Sequence, residues 1–127
     1  MVAERNLPLG TGWEAYPRVF SAVAVERLGS ALQENGSSVS VNPHNEYMMQ
    51  LGAGGVPALL LYLGWLGVPM WRAVRERRSD RPWAGAVGCL ALAFAAGSLF
   101  NSVLLDYVEG HFYAAVLAWL LVRRVQD

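Results

Sequence analysis

Residues 48–71 and 82–105 form two runs of 24 residues that contain no Asp, Glu, Lys or Arg. Each run exceeds the roughly 20 apolar residues that carry a helix across a bilayer core of about 30 Å. A chain of 127 residues has too little mass to hide two helices that are apolar all round, so the runs predict membrane spans rather than the core of a soluble bundle. A third run, 107–122, has 16 residues. That is about 24 Å of helix, enough to span only where it packs on neighbours or the bilayer thins. The expected fold class is therefore all-α integral membrane. It has about three transmembrane helices, at 48–71, 83–105 and 107–122, within a membrane domain 48–127.

The arginines orient those spans. All ten cations are Arg, and five of them fall within residues 72–81. Arg123 and Arg124 add two at the C-terminus, whereas residues 1–47 hold three Arg against five Glu, and 106–110 hold none. Cytoplasmic loops carry the excess of positive residues, which puts 1–47 and 106–110 outside and 72–81 and the tail inside. A polar segment of this length must be carried across the membrane, yet Met1-Val2-Ala3-Glu4-Arg5-Asn6 is followed by no apolar stretch of signal-peptide type. The chain is accordingly expected to be the C-terminal part of a longer protein and a fragment of a larger helical bundle, whose earlier helices deliver this segment outward.

Within 1–47, Leu7-Pro8-Leu9-Gly10-Thr11-Gly12 reads as a loop, because Pro and two Gly break any periodicity. From 18 to 34 the apolar residues Val19, Phe20, Val23, Ala24, Leu28, Ala31 and Leu32 recur at helical spacing. This predicts an amphipathic helix 18–34, stopped by Asn35-Gly36 and laid on the membrane surface or on a helical bundle. Ser37-Ser38-Val39-Ser40-Val41 then connects to a helix start, with Asn42 as N-cap and Pro43 in the first helical position. His44 and Asn45 fall in the first turn, where the positive end of the helix dipole favours the neutral imidazole, competent as a proton acceptor. Without further context, a histidine there serves more often as a cap or headgroup contact.

Inside the first span, Gly52-Ala53-Gly54-Gly55 before Pro57 suggests close approach of another backbone and a kink. The second span carries the small-residue pairs Ala84/Gly88 and Ala93/Gly97. Asn101, Ser102, Asp106, Glu109 and His111 gather at its outer end, on the same side as His44, as ordinary interfacial residues or as part of a site. The zero net charge leaves no basic footprint for nucleic acid, and the single Cys89 rules out an internal disulfide or a cysteine metal site.

The order Pro-Leu-Gly-Thr-Gly-Trp, amphipathic stretch, His-Asn-Glu-Tyr-Met-Met-Gln-Leu, Gly-Gly-Val-Pro-Ala-Leu-Leu-Leu-Tyr-Leu resembles the O-antigen ligase and O-antigen polymerase superfamily of bacterial inner-membrane proteins. Phe100-Asn101-Ser102-x-Leu104-x-Asp106 looks similar to that family's next outward helix end. The likeness covers nearly all of this chain but only about the last third of a typical member. It implies a role in lipopolysaccharide biosynthesis: transfer of a glycan from an undecaprenyl-diphosphate carrier to lipid A-core or another glycan acceptor, without metal or other cofactor. His44 matches the family's loop histidine that activates the acceptor hydroxyl, and Asp106 an acidic position in support. Asn45, Glu46 and Arg18 are the expected substrate contacts. The arginines that hold the diphosphate in the family lie on earlier helices, so this polypeptide alone is expected to be inactive. O-antigen polymerase, protein oligosaccharyl transferase and a non-catalytic membrane protein acting by helix association are the alternatives.

Overall fold

The computed structural model describes residues 7–34, 43–76, 82–104 and 107–123, and all regular structure among them is helical. Four helices follow in order: α1 Tyr16–Glu34, α2 Glu46–Glu76, α3 Pro82–Gly97 and α4 Tyr107–Arg123. The expected stop at Asn35-Gly36, the connector 37–41, the Asn42 cap, the loop 77–81 and Asp106 lie outside the described residues.

Among the described residues, α2 alone is long and apolar enough to cross a membrane, and α3 is a shorter apolar helix. The 31 residues of α2 are not one straight rod. Gly55 has φ 70° and ψ −163°, a backbone region open essentially to glycine only. Pro57 follows and supplies no amide hydrogen. The part beyond the break, residues 56–76, is about 31 Å long at 1.5 Å per residue. Only 28% of the most apolar window of α2 is buried by the rest of the chain. Leu60, Leu61, Val68, Trp71 and Val74 point outward, as do Phe112 and Trp119 on α4 and Leu92 on α3.

α2 packs mainly against α3, and α3 against α4. Small residues set that approach. Ala84 and Ala91 are fully buried, and a Cβ at Gly88 would lie 2.9 Å from that of Ala73. Of the two expected small-residue pairs, Ala84/Gly88 lies against α2, while Ala93 is exposed. A chain of rings crosses the three helices: Tyr47 meets Tyr62 edge-on at 5.5 Å, Trp65 meets Tyr113 at 4.7 Å, and Phe94 stacks on Tyr113 at 4.3 Å. Aromatic pairs of this kind contribute about 0.5–1.5 kcal/mol beyond their buried area.

α1 begins at Tyr16, two residues before the expected helix start, and packs on the first turns of α2. Tyr16, Met49 and Ala53 form a small buried cluster, covered by Val19, Phe20 and Val23. The apolar positions Val19, Phe20 and Val23 thus lie against this chain's own longest helix.

α3 ends at Gly97, eight residues before the uncharged run does. The cause is tertiary. Ser98, Leu99, Phe100 and Asn101 close into tight turns on the carbonyls of Phe94, Ala96 and Gly97. The carbonyls of Ser98 and Leu99 accept from the start of α2 instead of continuing a helix.

Candidate functional site

Pro43-His44-Asn45-Glu46 enters α2 at the end of the bundle where the 98–104 turns also lie. His44 has φ 48°, so the chain there is left-handed and cannot be helical. This displaces the helix start from the expected Pro43 to Glu46, with Asn45 as the cap. Asn45 Oδ1 accepts from the Met48 amide at 3.0 Å, the third residue of the helix. Its Nδ2 donates to the Leu99 carbonyl at 3.0 Å, tying the cap to the turn after α3.

Glu46 is fully buried. Oε1 accepts from Gln50 Nε2 at 2.7 Å and Oε2 from the Leu104 amide at 3.1 Å, while the Glu46 amide donates to the Ser98 carbonyl at 2.9 Å. A buried carboxyl group is tolerated only with such partners. Asn45 and Glu46, expected to meet substrate, are thus engaged inside the chain and hold three segments together. Beneath them, the Ser98 hydroxyl donates to the Phe94 carbonyl at 2.7 Å, which leaves the Tyr62 hydroxyl to donate to Ser98 Oγ. Tyr47 donates to the Ala95 carbonyl at 2.9 Å.

Two turns into α2, the Pro8–Gly12 loop docks on the break at Gly55. Thr11 and Gly12 donate their amides to the carbonyls of Gly52 and Ala53 at 2.9 and 2.8 Å, and the Val56 amide donates to the Pro8 carbonyl at 2.8 Å. In an unbroken helix those two carbonyls would accept from residues 56 and 57. Val56 is turned to the loop and Pro57 has no N–H, so the loop restores what the break removes. The approach is as close as backbones allow. A Cβ on Gly55 would fall 2.1 Å from the Pro8 oxygen, and one on Gly10 2.5 Å from the Ala53 oxygen. Tyr16, at the foot of the loop, is buried against Gly52, and burial pushes its phenol up to about 12.

His44 is exposed at this end, beside the turn that Asn45 and Glu46 anchor. Arg18 stands exposed on α1, and no hydrogen bond or ion pair among the described residues links it to His44, Asn45 or Glu46. Asp106 lies outside the described residues, between Leu104, bonded to Glu46, and the start of α4. Glu109 and His111 are exposed on the first turns of α4. Glu109 edges an apolar groove of about 350 Å³ between α3 and α4. No group of three or more His, Cys, Asp or Glu among the described residues could hold a metal ion.

Sequence reasoning missed Gln50, Ser98, Tyr62 and Tyr16. Only Gln50 left a signal, as a polar residue one turn after Glu46 on an otherwise apolar helix. No family model, curated protein or solved structure matches the chain.

Proposed function

We propose that this chain is the membrane-embedded C-terminal part of an O-antigen ligase-type glycosyl transferase, with the His44 end on the outer, periplasmic face of a bacterial inner membrane. The observation that carries the reading is the docking of Pro8–Gly12 on the broken helix at Gly52–Val56. The two separated motifs on which the resemblance rests are joined backbone to backbone, two turns from His44. The outward apolar residues on α2, α3 and α4 support the membrane placement. So does the position of Trp71 and Trp119, both exposed and near the end of the bundle where Arg72 and Arg75 lie, as in an interfacial belt.

In this reading the His44 imidazole takes the proton of an acceptor hydroxyl, for the ligases one on lipid A-core. The hydroxyl oxygen forms the new bond to the anomeric carbon from the face opposite the carrier. The bond from that carbon to the undecaprenyl diphosphate breaks, and the diphosphate leaves with the electron pair. Exposure suits His44 to this work, and its left-handed backbone, held by the Asn45 and Glu46 contacts, fixes where the ring starts. Strain of that kind, about 1–3 kcal/mol, persists where the surroundings over-determine it. Asn45 and Glu46 act as positioning residues, and Asp106 is the supporting acidic residue. Charge on the leaving diphosphate is met by arginines on earlier helices of the complete protein, which makes this segment inactive alone. O-antigen polymerases and oligosaccharyl transferases would share this chemistry with a different acceptor.

The test is His44→Ala in the complete transferase. Loss of a general base costs about 10²–10⁴ in rate, so surface glycan should disappear while the protein remains in the membrane at normal level. Unchanged glycan would remove His44 from the mechanism. Labelling of a His44→Cys variant in a Cys89→Ser background, by a reagent that cannot cross the membrane, should occur in intact spheroplasts. Labelling only after permeabilisation would overturn the topology.

A further inference from the structure

The loop docked on the break of α2 presents an apolar outer surface. From Leu7 to Trp13 it reads Leu-Pro-Leu-Gly-Thr-Gly-Trp, with no charged residue. Its one hydroxyl, on Thr11, is engaged inside the chain, 3.2 Å from the Gly12 carbonyl and 3.3 Å from that of Gly52. The side chains left facing outward are Leu9, 74% exposed, and Leu7 and Trp13, each half-exposed. A lone apolar residue on a surface needs no explanation, but three within seven consecutive residues of one loop form a patch. The chain regains charge directly after Trp13, at the exposed Glu14 and Arg18, so the patch ends where the loop does.

Its place along α2 identifies what the patch meets. Beyond the break, residues 56–76 form about 31 Å of helix, one thickness of a bilayer core. The loop is tied to the head of that stretch, since the Val56 amide donates to the Pro8 carbonyl. Trp13 stands there too: a Cβ on Gly54 would lie 3.7 Å from its Cζ2 and Nε1. The last turns of the stretch carry the exposed Trp71, with Arg72 and Arg75. Tryptophan at each end of a bilayer-length helix marks the two interfaces, which puts the loop at the outer one. Exposed apolar residues continue from it down α2 at Val56, Leu60 and Leu61. Irregular backbone cannot face hydrocarbon unpaired, so the depth open to the loop is the boundary, where water and headgroups reach its remaining amides.

We infer that the Leu7–Trp13 loop is a lipid-contacting foot. Leu7, Leu9 and the Trp13 ring enter the outer leaflet where headgroups meet acyl chains, at the depth of about 5–10 Å typical of interfacial apolar faces. This rests on the reading of α2 as membrane-spanning and draws on neither His44 nor Asp106. Three backbone hydrogen bonds fasten the foot to the break, so its insertion fixes the height of the break, and of the helix turns before it, against the bilayer surface.

The test uses the full chain in phosphatidylcholine vesicles, carrying Leu9→Cys in a Cys89→Ser background and labelled with the environment-sensitive fluorophore NBD. Leu9 is exposed, so the label displaces no packed side chain. A second variant, Val68→Cys in the same background, is labelled as a marker of the span, since Val68 is exposed midway along 56–76. The label at residue 9 should emit to the blue of its value in water and lose quenching by iodide. It should be quenched more by a nitroxide high on the lipid acyl chain than by one near the chain's end, and the label at residue 68 should show the reverse order. A residue 9 label open to iodide and insensitive to both nitroxides, with residue 68 quenched by the deep one, would overturn the foot and leave the span standing. Shielding from iodide without quenching by either lipid would mean that a second copy of the chain covers the loop, and would overturn lipid as its partner. A residue 68 label in water would overturn the membrane reading beneath both.

Discussion

Gly55→Ala should release the Pro8–Gly12 loop from α2. The backbone at φ 70° and ψ −163° belongs to a region costing any other residue about 1–3 kcal/mol. The new methyl would also sit 2.1 Å from the Pro8 oxygen and 2.5 Å from the Leu9 carbonyl carbon. These are backbone atoms that cannot rotate aside. Moving them breaks the three amide bonds Thr11–Gly52, Gly12–Ala53 and Val56–Pro8, each contributing about 0.5–1.5 kcal/mol net. The combined loss is roughly 3–7 kcal/mol, more if the freed carbonyls of Gly52 and Ala53 face lipid, where no water replaces the loop. Hydrogen exchange in detergent micelles reads the event directly. The amides of Thr11, Gly12 and Val56 should lose protection together, while those in the second half of α2 keep theirs. Gly64→Ala is the control, since a Cβ there meets nothing within 4 Å and helix propensity alone favours it by about 0.5–1 kcal/mol. Protection at all three amides equal to the control would refute the claim that the break and the loop form one unit.

The left-handed His44 makes a second expectation. His44→Gly relieves a backbone cost of about 1–2 kcal/mol but also removes the imidazole's own contacts, so Tm should change little, while on the proposed function glycan transfer by the complete protein should be lost. A large drop in Tm would show that the imidazole serves structure. Glu46→Ala leaves the Gln50 amide and the Leu104 N–H buried without the carboxylate, and hydrogen bonds to a charged group contribute about 1.5–3 kcal/mol each. Tm should fall well beyond the effect of a surface substitution, and the Leu104 amide should exchange fast; an unchanged Tm would mean the carboxylate pins nothing. Tyr16 sets a pH limit. Its phenol is raised to about 12 against about 10 in an unfolded chain, so the folded state holds the proton more tightly. The docking of α1 should therefore be fully stable below pH 10 and weaken as pH rises through 12. Phenolate absorbance titrating with a midpoint at 10 would contradict the burial.

Much of the architecture is written in local pattern. Uncharged runs and helical spacing place α2, α4 and most of α1, because chain length and hydropathy decide whether a helix can form and what surrounds it. The same pattern misplaces the end of α3, since residues 98–104 are apolar enough to continue a helix. They turn instead because Asn45, Glu46 and the Glu46 amide offer partners to Ser98, Leu99 and Leu104. Asn42-Pro43 likewise carries every local mark of a helix start, yet His44 turns left-handed and Asn45 becomes the cap.

The sequence by itself determined that this chain builds apolar helices, that glycine and proline interrupt the longest, and that a histidine stands at its head. Only the tertiary structure decided that Pro8–Gly12 fills the interruption and that Glu46 is buried to lock α2 against the turn after α3. The difference is physical. Hydropathy and backbone freedom act over a few neighbouring residues, whereas a hydrogen bond between residues 8 and 56, or between 46 and 104, exists only once folding has brought them together.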